Sequence, residues 1–90
     1  MKKSSVPYPA FIQALGQTCI RYRSDVGLSQ RAFAHEIGID PSTYQVVEAG
    51  RTFKGELANP TTKTLVAIAD GFGLPLVDLV DEAWELAETL

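Results

Sequence analysis

The sequence predicts an all-α fold, a compact bundle of about five short helices, two of them joined by a tight turn at its centre, with an extended C-terminal helix. Three observations carry this. Apolar residues recur three and four positions apart through most of the chain, which gathers them on one face of a helix. Ser29, Asp40 and Thr61 stand just ahead of such runs, where a side-chain oxygen can accept a bond from a backbone N–H that the first turn leaves unpaired. Glycine stands just behind several of them, at Gly27, Gly38 and Gly73.

Taken in order, residues 1–9 read as a flexible N-terminal arm, since Pro7 and Pro9 disfavour a helix, and Lys2 and Lys3 place positive charge on it. The charged start resembles that of a signal peptide, but prolines follow where a long apolar run is required. From Ala10 to about Asp25, Phe11, Ile12, Leu15, Cys19 and Tyr22 mark the first helix. Leu28 to Gly50 then holds two short helices. Ser29 caps the first, Phe33, Ala34 and Ile37 form its apolar face, and Gly38 closes it in the left-handed conformation that most side chains resist. Asp40 caps the second, and Pro41 suits its first position, where a missing N–H costs nothing. Tyr44, Val47 and Glu48 are expected to face inward, leaving Ser42, Thr43, Gln45 and Val46 on the outside.

Residues 51–60 form a linker in which Phe53 and Leu57 either fold back on the core or meet a ligand. Thr61 opens a fourth helix with Leu65, Val66, Ile68, Ala69 and Phe72 on its buried face; Gly71 inside it costs about 1 kcal/mol relative to alanine, so close packing or local looseness must account for it. Leu74-Pro75 starts a fifth helix, whose Leu76, Val77, Leu79 and Val80 complete a domain spanning residues 10–80. Residues 81–90 are an acidic helical extension. Ala83, Trp84, Ala87 and Leu90 continue an apolar stripe there, opposite Asp78, Asp81, Glu82, Glu85 and Glu88. The stripe needs cover, from its own domain or from the same stripe of a second subunit, and a homodimer is the favoured expectation.

Composition narrows the function. Net charge is −3, but all eight Lys and Arg lie within residues 1–63 with five acids, whereas residues 64–90 hold six acids and no base. The chain is therefore mildly basic at one end and strongly acidic at the other, the acidic end being solubilising surface on the simplest reading. Cys19 stands alone, so neither an internal disulfide nor a cysteine metal cluster can form, and it reads as a small buried hydrophobe. His35 is the single histidine, without a nucleophile at useful spacing, and no glycine-rich phosphate loop is present. Catalysis, a metal site and a cofactor are not expected. No apolar run approaches the length a bilayer needs, and a cytoplasmic location is expected.

Gln30, the small Ala34, Gly38, the apolar Ile39 and Glu48-Ala49-Gly50 occur together and in register, with Ile20-Arg21-Tyr22-Arg23 upstream and Asn59-Pro60 and Leu65 to Leu76 downstream. This pattern resembles the helix-turn-helix of the phage repressor and Cro-like (XRE) family, a lambda-repressor-like DNA-binding domain. The resemblance implies a transcriptional regulator, a repressor in the first instance, that lays the helix over residues 41–49 in the major groove of double-stranded DNA. By the same resemblance the bases are read by the start of that helix, which maps onto Pro41, Ser42 and Val46 with Thr43 and Gln45 beside them. Pro41 has no side-chain hydrogen bond to offer and Val46 meets only a thymine methyl, so readout falls on Ser42, Thr43 and Gln45, with DNA shape in support. Phosphate contacts are expected from Gln30, Arg31, Arg51, Thr52 and Lys54, and a structural ion pair from Arg23 and Glu48. The linker after Gly50 is several residues longer than the family's, which leaves the placement of Arg51, Thr52 and Lys54 open. A homodimer implies a roughly palindromic operator. The alternative is a protein-interaction module, an antitoxin-like partner-binding protein for example, that keeps the fold and binds through its acidic C-terminal helix. Salt-dependent binding to duplex DNA separates the two.

Overall fold

The caps act where the sequence places them. The side chains of Ser29, Asp40 and Thr61 accept the backbone N–H groups of Ala32, Ser42 and Thr64, and each begins a helix. A computed structural model describes residues 5–90 as α1 (Tyr8–Val26), α2 (Gln30–Ile37), α3 (Pro41–Ala49), α4 (Thr62–Gly71) and α5 (Leu76–Ala87). Lys2 and Lys3 of the expected arm lie outside the described residues. Tyr8 and Pro9, read from the sequence as arm, instead form the first turn of α1. Pro9 there needs no N–H, Pro7 supplies the carbonyl that Phe11 N–H reaches at 3.1 Å, and the Tyr8 hydroxyl donates to the Ala58 carbonyl at 2.7 Å.

One core joins all five helices. Leu15 and Cys19 of α1, Phe33 of α2, Tyr44 and Val47 of α3, Ile68 of α4 and Leu79 of α5 are buried in it. Its aromatic part is layered: Phe72 stacks on Phe33 at a centroid distance of 4.7 Å and on Tyr22 at 5.2 Å, and the edge of Phe33 meets Tyr44 at 5.1 Å. Gly71 is explained by close packing, since a Cβ at that position would overlap Ile37 and come within 2.8 Å of the Phe33 ring.

The C-terminal stripe has found its cover within the chain. Helix α5 runs unbroken past Val80 and packs on α1, burying Leu79, Ala83 and Ala87 and setting Trp84 against Phe11 at 5.9 Å. The Tyr22 hydroxyl donates to Glu82, and Arg21, lying over the Tyr22 ring, reaches the same carboxylate at 2.7 Å. Of the two covers the sequence left open, the chain's own domain supplies that of Ala83, Trp84 and Ala87, because α1 is long enough to offer an apolar face, while Leu90 stays 55% exposed. Val66 and Val77, expected inside, are instead 41% and 70% exposed, because each sits on the solvent side of a helix that only one side of the core touches.

The linker is also ordered. Arg51 and Leu57 form an antiparallel bridge, the Ala58 N–H returns to the Gly50 carbonyl at 2.9 Å, and Gly55 (φ +83°) makes the turn, so residues 50–58 fold as a small hairpin.

Helices α1 and α3 cross at Gly16, where a Cβ would overlap the Glu48 carbonyl oxygen and stand 2.9 Å from that of Val47. Backbone cannot yield there as a flexible side chain would. Gly16→Ala is therefore expected to lower stability by about 1–3 kcal/mol in urea unfolding, despite alanine's better helix propensity. A variant as stable as the parent would show that the crossing is looser than this geometry.

Candidate nucleic-acid interface

The turn between α2 and α3 is built from backbone bonds. Gly38, with φ +74°, donates to His35 at 3.2 Å, and Ile39 N–H reaches back to the Ala34 carbonyl at 3.0 Å, which closes α2 and redirects the chain within three residues. Asp40 Oδ1 then accepts the Ser42 N–H at 2.8 Å and starts α3. With Phe33 docked on Tyr44, helix α3 buries Tyr44, Val47 and Glu48 and exposes Ser42, Thr43, Gln45 and Ala49, as its apolar spacing predicts.

Glu48 anchors the far end of α3. Its side chain is 2% exposed, and Arg23 grips it with two bonds, Nε to Oε2 at 2.6 Å and Nη2 to Oε1 at 3.1 Å. A third donor is the Gln30 amide, 2.7 Å from Oε1, while Arg23 Nη1 also donates to the Leu28 carbonyl at 2.9 Å. Burial by itself would raise the Glu48 pKa, but the bonds from Arg23 and Gln30 outweigh it and hold the carboxyl below its ordinary value. Burial, aided by the same carboxylate, raises the Tyr44 hydroxyl and pushes the Cys19 thiol up to about 12, so Cys19 is the inert small hydrophobe expected of it.

This network adds a second role to Gln30. One N–H of its amide donates inward to Glu48, whose acceptor capacity Arg23 alone does not fill, and the second N–H is not engaged by that bond. Ser42 is exposed but its hydroxyl is engaged: it donates to Asp40 Oδ1 and, with the Ser42 N–H, keeps the Asp40 carboxyl below its usual range. The Ser42 oxygen then has acceptor capacity, but its proton is committed. Thr43 and Gln45 are exposed on the outer face, and Val46 is half-buried, part core and part wall of a groove between α3 and the hairpin.

Thr52, Glu56 and Leu57 form the opposite wall of that groove, and Thr64 of α4 forms its end. Arg51 donates to the Gly55 carbonyl at 2.9 Å, and Thr52 Oγ1 accepts the N–H groups of Lys54 and Glu56, so both side chains stiffen the hairpin on which Lys54 is exposed. Arg31 is exposed on α2, with its charge acting on Asp40 at the start of α3. The structure thus brings Arg31, Thr43, Gln45, Arg51 and Lys54 around α3. The hairpin itself escapes sequence reasoning; Gly55 between Arg51 and Leu57 is the one local signal for it. Phe53, expected to fold back as one possibility, is 75% exposed at the tip, and Leu57 alone turns inward.

The family comparison matches residues 21–79 to the helix-turn-helix family. No curated protein and no solved structure matches the chain. Among the described residues, no helix is long and apolar enough to cross a membrane.

Removing Arg23 alone leaves a carboxylate buried without its charge partner. Arg23→Ala is expected to cost about 3–5 kcal/mol, and the double variant Arg23→Ala, Glu48→Ala less than the sum of the two singles, in a urea-unfolding cycle. The pH dependence has a definite sign. Because the folded Glu48 pKa is depressed, its contribution is complete above the unfolded value and is lost as pH falls through the folded one. That acid limb should shrink in Glu48→Gln to what Asp40 contributes, and an undiminished limb there would show that Glu48 does not carry it.

Proposed function

The chain belongs to the helix-turn-helix family of DNA-binding regulators, of the phage repressor and Cro-like (XRE) type, and from that premise we propose that it is a sequence-specific repressor that reads its operator with α3. The observation that supports this reading best is the division of α3 into two faces. One is locked by the Arg23, Glu48 and Gln30 network, and the other presents Thr43 and Gln45 with cations on either side. Gln45 carries an amide that can bond a base edge in both directions, with Thr43 beside it and the Ser42 oxygen as an acceptor. Val46 adds apolar contact with a thymine methyl from the groove wall. Arg31, Arg51, Thr52 and Lys54 hold phosphates, which fix register without carrying sequence. The phosphate contribution of the Gln30 position comes from the backbone at the start of α2, where unpaired N–H groups favour an anion.

The acids of α5 lie on a helix that packs against α1 and α4, so they do not oppose this approach. A cytoplasmic homodimer on a roughly palindromic site completes the reading. Since the inner stripe of α5 is covered, a dimer through this helix would use its outer side, where Val77 is 70% exposed. Sedimentation at micromolar concentration is expected to report a dimer, and a monomer would remove this part of the proposal.

Fluorescence anisotropy with duplex DNA over a range of salt tests the rest. Gln45→Ala is expected to cost about 1–3 kcal/mol on the selected site and little on random duplex, leaving the salt slope unchanged. Arg51→Ala is expected to weaken both and to flatten the slope by roughly one counterion. Equal losses for Gln45→Ala on both duplexes would show that Gln45 does not read bases. No salt-dependent binding by the parent protein would favour the protein-interaction module.

A further inference from the structure

Phe53 is the most exposed large apolar residue among those described, at 75%. Its position is rigid. The hairpin beneath it is closed by the Gly50 and Ala58 bond, the Arg51 and Leu57 bridge, Thr52 N–H to the Glu56 carbonyl at 2.8 Å, Gly55 N–H to the Thr52 carbonyl at 2.9 Å, and the Arg51 guanidinium on Gly55. A ring held out in this way is presented, whereas a ring on a loose loop would be free to turn onto the core. The hairpin also springs directly from Gly50, which caps α3, and its wall residues Thr52 and Glu56 face Thr43 and Val46 across the groove. It therefore prolongs the side of the domain that α3 exposes.

The charge around the ring selects its occupant. Lys54 stands next to it and Arg51 at the base of the same hairpin, against the single acid Glu56 on the returning strand, which leaves the hairpin net positive and suits a polyanion. A duplex held by α3 offers, beside the groove, deoxyribose edges that are apolar between charged phosphates. This matches an aromatic ring between cations.

We infer that Phe53 is a non-ionic DNA contact, packing on the sugar wall of the duplex beside α3 while Lys54 and Arg51 take the adjoining phosphates. The inference rests on the DNA-binding reading above. It adds a contact that is independent of sequence and of salt, which compensates for a recognition helix without Arg or Lys.

The test uses the full chain and a fluorescein-labelled random 30-base-pair duplex across several salt concentrations, with thermal unfolding to verify that each variant is folded. Phe53→Ala is expected to weaken binding about 5–20-fold at every salt concentration with an unchanged slope, and Phe53→Leu to recover part of the loss. Lys54→Ala is expected to reduce the slope by roughly one. Wild-type affinity in Phe53→Ala, within twofold, overturns the inference and leaves the DNA-binding reading standing. A fall in sedimenting mass for Phe53→Ala without DNA overturns it too, by assigning the ring to a second copy of the chain. Absence of binding by the unmodified protein defeats the underlying reading, and is seen before any variant is made.

Discussion

The carboxylate of Glu48 is the constraint on which the arrangement of the first three helices depends. It sits at the buried end of α3, and its acceptors are filled by Arg23 from α1 and Gln30 from α2. A charge so enclosed is costly in any packing that separates it from these donors, so alternative placements of α3 are penalised more than the native one is favoured. Gly16 makes the arrangement possible by letting α1 approach the last turn of α3 at backbone contact. The attitude of the outward face, and with it Thr43 and Gln45, follows from interactions made on the inward one.

Much of this is legible in the sequence because it is local. Ser29, Asp40 and Thr61 act within three residues of themselves, and Gly38 closes α2 by a conformation that no neighbour has to impose. The Arg23 and Glu48 pair comes through the family resemblance and is present. The parts that are not legible are choices between partners of equal chemistry. The bond from Gln30 to Glu48 depends on a proximity that only the fold creates. Ser42 can face a base or close on Asp40. The stripe of Ala83, Trp84 and Ala87 fits any apolar face, and periodicity does not say whose; α1 of the same chain supplies it at high effective concentration. Tyr8 and Pro9 escape for a different reason, since proline disfavours the interior of a helix and favours its start.

The same competition shapes the outer surface. A recognition helix without a cation draws little on long-range attraction by itself, and Asp40 at its start adds a negative charge that Arg31 partly offsets. Positive charge is supplied by its neighbours, α2 and the hairpin, while the acids are concentrated on α5, whose contacts are with α1 and α4. Neutral groups stand at the centre and cations at the margin, which separates discrimination from attraction in space.

The hairpin of residues 50–58 departs from and returns to a single point, the bond between the Gly50 carbonyl and the Ala58 N–H. Apart from Leu57, which turns inward, the hairpin beyond that bond stands outside the core, so the five helices meet the same boundary condition whether its tip is short or long. The entropy of closing a loop grows only logarithmically with its length, so residues added at the tip carry a small thermodynamic penalty. The site is thus a port in the fold, at which reach and chemistry beside the recognition helix can be exchanged while the scaffold that aims the helix is left intact.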